Sequence, residues 1–225
     1  MLVNSSFAMP DLHAIFFETP IENNYLGHIF SEIYKDRVYA PFLEGKKDLT
    51  IIDIGANIGD TSYYFSQFAK HVYSPEPSLE HFGTMTMMLE HNKIKNIRPI
   101  NKAIWLKSGK LPFYHNQNRT MYSLHQSVND NSSPPEMVEC ISFTDLFKEN
   151  KIEHVDFMKL DVEGSEYEVL AGTDFKAVAD KIDKIVIERH RWANRNPNQL
   201  VDTLRMRGFN VNQIPSDADL LLASK

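Results

Sequence analysis

Leu49-Thr50-Ile51-Ile52-Asp53-Ile54-Gly55-Ala56-Asn57-Ile58-Gly59-Asp60 is the stretch that decides the fold. Its first half is a short, β-branched apolar run, the pattern of a strand buried on both faces in a parallel sheet. The run ends directly at Gly55. Beyond Gly59 the apolar residues fall at helical spacing, so a helix should begin at Asp60 or Thr61 and bury Tyr64, Phe65 and Phe68. Strand, glycine turn and helix together open a wound α/β unit.

The same alternation continues downstream. His71 to Ser74 reads as a second strand, stopped at Pro75-Glu76-Pro77, where the prolines should forbid further ladder pairing. Ser78 should cap a helix to about Asn92. Its Met85, Met87 and Met88 read as core packing. Ile97 to Ala103 reads as a third strand, followed by a hairpin and polar loop to about residue 136. Val138 to Ser142 is short and apolar, and Thr144 can cap a helical turn through Asn150. Val155 to Leu160 is the fourth buried strand, before a helix from Glu166 to Leu170 that closes at Gly172. Lys184 to Glu188 is the fifth, followed by a helix from Asn198 to Arg207 and a final strand pair, Phe209 to Ile214 with Leu220 to Ala223. The expected fold is α/β, a doubly wound, mostly parallel Rossmann-like sheet with helices on both faces. Its ligand crevice lies beyond the carboxyl ends of the strands.

Residues 1–48 mix apolar patches with Pro10, Pro20 and Pro41. They read as an N-terminal extension with one helix over about 24–36, packed on a domain of residues 49–225. Composition excludes several classes. With 42% hydrophobic and 24% charged residues among 225, the chain is neither disordered nor fibrous. A net charge of -6 provides no basic field for a polyanion, so nucleic acid is not an expected partner. Cys140 is the only cysteine, which rules out an intrachain disulfide. No apolar run reaches the roughly 20 residues of a membrane span, and the first residues lack a signal-peptide pattern. A cytoplasmic protein is expected.

Chemistry-bearing residues gather at the strand ends. The turn from Gly55 to Gly59 suits a nucleotide-like ligand, because glycines admit close approach. A dinucleotide fingerprint would need a further glycine where Asn57 stands, and Asp60 would face the pyrophosphate. A cationic ligand without phosphates tolerates Asp53 and Asp60 better. Glu76 follows Gly55 by about 20 residues, the spacing at which an acidic residue accepts hydrogen bonds from a ribose diol. Asp161 and Glu163 sit two apart at the fourth strand's end, and Gly164 lets the chain turn away. Two carboxylates held together there call for a substrate cation, a metal or a proton between them.

These motifs resemble the FkbM family of methyltransferases. The resemblance rests on Ile52 to Gly59, on Pro75-Glu76-Pro77-Ser78, on Asn101-Lys102-Ala103-Ile104, and most specifically on Lys159-Leu160-Asp161-Val162-Glu163-Gly164-Ser165-Glu166 with Val169-Leu170-Ala171-Gly172. It covers about residues 49–223 and implies a class I methyltransferase fold with S-adenosylmethionine (SAM) at the strand tips. On that basis Asp53, Gly55, Asn57, Gly59, Glu76, Asn101, Ala103 and Asp161 are the expected cofactor-binding residues. Gly55 and Asn57 would lie beside the methionine part, Glu76 would hold the ribose, the Asn101 to Ala103 segment would border the adenine, and Asp161 would lie near the sulfonium. The family is linked to O-methylation of sugars, glycans and natural products, so the expected partner is a small-molecule or glycan acceptor.

Methyl transfer to a hydroxyl needs aligned reactants and a general base. His190, just past the fifth strand, and Asp161 are the two candidates, with Glu188 orienting the histidine or binding the acceptor. Asp161, Glu163 and Glu188 could together bind Mg²⁺, but without a further signature no metal is assigned. The polar segment Tyr114 to Pro135, with Asn116, Gln117, Asn118, Arg119, Tyr122 and Ser123, is expected to cover the crevice and choose the acceptor. Two rivals stay open, a nicotinamide-dependent oxidoreductase on a similar sheet and a non-catalytic scaffold that keeps the cofactor pocket.

Overall fold

The computed structural model describes residues 15, 31–115, 122–124, 134–190, 195–214, 217 and 219–225. Among these residues eleven strands alternate with helices: β1 Leu49–Ile54, β2 Ala69–Pro75, β3 Ile97–Ile100, β4 Ala103–Ile104, β5 Gly109–His115, β6 Tyr122–Ser123, β7 Glu136–Ile141, β8 Phe157–Leu160, β9 Lys184–Glu188, β10 Asn210–Gln213 and β11 Leu220–Ser224. The α-helices described are α1 Ala40–Leu43, α2 Asp60–Ser66, α3 Leu79–His91, α4 Phe143–Asn150, α5 Glu166–Ala171, α6 Thr173–Lys176 and α7 Pro197–Met206.

Seven strands form one sheet in the order β10-β11-β9-β8-β1-β2-β3. All neighbouring pairs from β9 to β3 are parallel, whereas β11 runs antiparallel to β9 and β10. The strand order turns back between β1 and β8, which leaves a crevice at their carboxyl ends.

Period-2 alternation divides the sheet into two cores. Ile52, Ile54, Met158, Leu160, Ile185 and Ile187 face one side and pack with Phe143, Leu146, Phe147, Leu170, Phe175, Leu200 and Leu204. Ile51, Phe157 and Val186 face the other, among Tyr64 and Phe65 of α2, Phe68 just beyond it, and Met85 and Met88 of α3. Val38, Tyr39 and Leu43 join this second core, so residues 38–43 cover the sheet rather than hang from it. Of the helix expected over 24–36, the portion before Ser31 lies outside the described residues, and Ser31–Lys35 is a π-helical turn.

Several boundaries differ from the sequence reading. Pro75 stays in the ladder beside Ile100, because proline lacks only the N–H. Its carbonyl accepts from Gly55 N and Ala56 N at 3.1 and 3.2 Å. The third strand breaks after Ile100, where Asn101 Nδ2 donates to the carbonyls of Glu76 and Pro77 at 2.9 and 3.1 Å. Ala103–Ile104 then joins a second sheet, β4-β7-β5-β6. Ser142, not Thr144, caps α4, accepting from Asp145 N. Met85 and Met88 are core residues as expected, but Met87 is exposed.

Candidate active site

The turn after β1 is built from three left-handed residues, Gly55, Asn57 and Gly59, with φ of 74°, 52° and 91°. Asparagine takes this conformation more readily than other side chains, so position 57 keeps the turn without glycine. A Cβ on Gly59 would strike Met85 Cγ at 2.7 Å, so close packing against α3 requires glycine there. Asn57 N donates to Glu76 Oε2 at 2.9 Å and Ser78 N donates to Oε1 at 2.8 Å, tying the β1 turn to the tip of β2.

A cleft opens over these tips. Ala103, Ile104, Phe113, Leu124 and Val162 supply apolar walls, and Glu76, Asp161 and Glu163 supply three carboxylates. Of the residues expected to hold the cofactor, Gly55, Asn57, Glu76, Ala103 and Asp161 line this cleft, while Asp53, Gly59 and Asn101 do not. Asn101 acts on it indirectly by pinning the Glu76 carbonyl. Of the expected cover, Ser123 Oγ donates to the Glu163 carbonyl at 2.7 Å and Leu124 reaches the lining. Asn116 to Arg119 and residues 125–133 lie outside the described residues.

Asp53 has a different task from the one expected. It is fully buried, with Oδ2 accepting from Thr61 Oγ1 at 2.7 Å and Ser62 Oγ at 2.6 Å. Lys159 lies directly across the β1–β8 ladder from it. The lysine ammonium is buried 3.8 Å from Asp53 Oδ1, 3.1 Å from Asp161 Oδ2 and 3.2 Å from the Gly55 carbonyl. Burial opposes that charge, but the two aspartates outweigh it and hold the ammonium charged. Burial also pushes the Asp53 carboxyl up, opposed by Lys159 and the two hydroxyls. Lys159 was not singled out from sequence, although the signal was there: one lysine inside a strand expected to be wholly buried requires carboxylates on the same face.

Beside Asp161 the tips of β8 and β9 carry a second polar group. His190 Nδ1–H donates to Glu166 Oε1 at 2.6 Å. Its Nε2 lies 3.2 Å from Glu163 Oε2 and 3.9 Å from both Asp161 Oδ1 and Glu188 Oε1. Burial alone would lower the imidazole pKa, yet Glu163, Glu166 and Asp161 together raise it to about 11. A histidine already carrying its proton at neutral pH cannot take one from an acceptor, so this environment does not suit His190 as the general base. Glu166, fully buried and missed from sequence, is the residue that fixes the ring.

The seven-stranded sheet with its reversed edge strand, carrying a carboxylate-lined cleft at the β1–β8 switch, defines a class I, SAM-dependent methyltransferase. Residues 53–211 match the family described as Methyltransferase FkbM domain, and the chain belongs to that family. Among solved structures, magnesium protoporphyrin IX methyltransferase from Synechocystis PCC 6803, with bound SAM, shares the fold at a TM-score of 0.54 and 13% identity, covering 95% of this chain and 88% of that one. A methyltransferase of Streptococcus mutans in complex with S-adenosylhomocysteine (SAH) aligns at 15% identity and a TM-score of 0.49, over 92% of this chain and 99% of that one. Precorrin-6y C5,15-methyltransferase from Geobacter metallireducens aligns at 13% and 0.48, over 84% and 86%. No curated protein matches the sequence. Among the described residues no helix is long and apolar enough to cross a membrane.

Proposed function

We propose that the cleft binds SAM and that the chain transfers its methyl group to a hydroxyl oxygen of a sugar, glycan or natural product in the cytoplasm. The observation that carries the reading is the cleft's mixed lining, three carboxylates beside apolar walls. Acidic side chains favour a cationic sulfonium and accept from a ribose diol, whereas they would repel the pyrophosphate of a dinucleotide. Two of the four acceptor positions of the Glu76 carboxylate are taken by backbone N–H groups, leaving two for the diol. Gly55 and Asn57 border the methionine part, and Ala103 and Phe113 flank the adenine. Asp161, 24% exposed at the β8 tip, faces the reacting groups.

SAM supplies the activated methyl group. The chain's own task is to align the acceptor and receive its proton. With His190 held as a cation, the proton acceptor is a carboxylate, Asp161 or Glu188, and both lie 3.9 Å from His190 Nε2. Transfer forms the oxygen–methyl bond, breaks the sulfur–methyl bond and leaves SAH.

A ligand bound only by the folded chain at 100 times its Kd adds about 2.7 kcal/mol of stability. For a chain of this size, that is a Tm rise of roughly 5–10 °C. SAM and SAH are each expected to produce it at millimolar concentration, and NAD is not. A clear shift with NAD and none with SAH would overturn the reading. SAH release measured across sugar, glycan and amine acceptors then tests the acceptor, since turnover with amines alone would remove the hydroxyl assignment.

A further inference from the structure

His190 is surrounded by four carboxylates, those of Asp161, Glu163, Glu166 and Glu188. Glu166 Oε1 accepts from its Nδ1–H and also from Gly164 N at 3.1 Å, which fixes the imidazole plane and turns Nε2 toward Asp161, Glu163 and Glu188. We propose that Asp161, Glu163 and His190 form a site for a divalent first-row metal ion, which takes the place of the proton on His190 Nε2, with Glu166 as a positioning residue.

One ligand atom from each of Asp161, Glu163 and His190 lies within 4.8 Å of the other two. Metal–ligand bonds of about 2.0–2.2 Å place neighbouring ligand atoms roughly 3–3.6 Å apart. The observed separations from Nε2, 3.2 Å to Glu163 Oε2 and 3.9 Å to Asp161 Oδ1, need to close by only a few tenths of an ångström. The ring is also held as metal-bound imidazoles are held, its far nitrogen donating to a carboxylate that sets both tautomer and orientation.

A second, independent observation is Glu166 itself. It is fully buried, and among the described residues its Oε2 has no hydrogen-bond partner. Its Oε1 is occupied by Gly164 N and His190 Nδ1, and a buried carboxylate with one oxygen unpaired is best offset by positive charge held on the ring it grips, which a bound ion would keep there once the Nε2 proton has left. Oxygen ligands alone would suit Mg²⁺, whereas one imidazole with carboxylates shifts the preference toward ions such as Mn²⁺. The sequence offered the oxygen ligands but not this signature, because the imidazole lies past β9 and its partner lies in α5.

Asp161 and Glu163 also line the cofactor cleft, so the ion would stand beside the path between cofactor and acceptor. Its role there rests on the methyltransferase reading. A cation beside the acceptor hydroxyl eases loss of the proton, which passes to Glu188 or water as the methyl group moves from sulfur to oxygen. Acceptors with a second oxygen next to the hydroxyl fit best, since both oxygens can reach the ion.

The test is a titration of the metal-stripped full chain with Mn²⁺ alone, read by electron paramagnetic resonance, with SAH affinity measured in parallel by calorimetry. One Mn²⁺ per chain is expected. Asp161→Asn and Glu163→Gln should weaken binding at least tenfold, and Glu166→Gln ten- to a hundredfold. His154→Ala should leave it unchanged, although His154, Asp156 and Asp183 form a second cluster with ligand spacing at the opposite end of the same strands. If Glu166→Gln fails to fold, the partly exposed Glu163→Gln carries the test. Free Mn²⁺ signal persisting at millimolar concentration, or binding lost in His154→Ala and kept in Glu163→Gln, overturns the site. SAH binding without Mn²⁺ binding removes the metal and leaves the cofactor reading. Mn²⁺ binding without SAH binding does the reverse.

Discussion

Gly55→Ala is expected to cost about 3–5 kcal/mol of stability, a large share of the roughly 5–15 kcal/mol that holds a typical domain together. Two costs combine. The residue sits at φ of 74°, where any Cβ is strained by about 1–2 kcal/mol. The added carbon would also lie 1.8 Å from the Asp161 carbonyl oxygen and 3.0 Å from its carbon, both backbone atoms that no rotamer change can move. Relief requires the tips of β1 and β8 to part, which breaks the Asp161 N to Ile54 O bond of 3.1 Å and opens the floor of the cleft. Gly45→Ala separates the two costs, since Gly45 has φ of 78° and no atom within 4 Å of its would-be Cβ. Denaturation midpoints should fall modestly in Gly45→Ala and steeply in Gly55→Ala. Equal falls would mean that the strand seam is not closed as described.

The seam also marks what was legible in the sequence. β1, β8 and β9 could be read because parallel strands buried on both faces are apolar nearly throughout, and Lys184 to Glu188 matches its expected bounds. The order of the strands follows from the alternation with helices and the right-handed crossover. Which face a strand-end residue takes was harder. Asp53 and Asp161 both stand near strand ends, yet Asp53 points under α2 toward Thr61 and Ser62, and Asp161 points into the cleft. Register across the β1–β8 ladder decides this, and register is a tertiary property. For the same reason the Asp53–Lys159–Asp161 line emerges only once Asp53 and Lys159 are seen as cross-strand neighbours. The second sheet was read as one hairpin because β4 is two residues long and pairs with β7, far along the chain.

Charge at the cleft is arranged in layers. Lys159 beneath and His190 beside it partly neutralise Asp53, Asp161, Glu163 and Glu166. Glu76 stands apart, since no cation contacts it directly in the described structure and its partners are backbone N–H groups. It is therefore the carboxylate whose ionisation should respond most to the arrival of a ligand.

Burial pushes the Glu76 carboxyl up to about 7, against the pull of the Ser78 and Asn57 N–H groups and the Lys159 charge. Because the folded value lies above the unfolded one of about 4.5, the folded chain binds the extra proton between those values. Its contribution to stability is thus full below about 4.5 and is lost as pH rises through about 7, by an amount on the order of 3 kcal/mol. Cofactor binding should run the opposite way. A ribose diol donates to the ionised carboxylate, so SAH affinity should rise toward tenfold per pH unit approaching 7 and level off above it. Glu76→Ala should flatten this dependence and weaken binding at pH 8 at least tenfold, the effect of losing hydrogen bonds worth about 1.5–3 kcal/mol to a charged acceptor. Calorimetry of SAH binding at pH 6, 7 and 8, in the parent and in Glu76→Ala, measures both effects. A pH-independent affinity in the parent, matched by the variant, would place the ribose elsewhere and leave Glu76 only its backbone-pinning role between the β1 turn and α3.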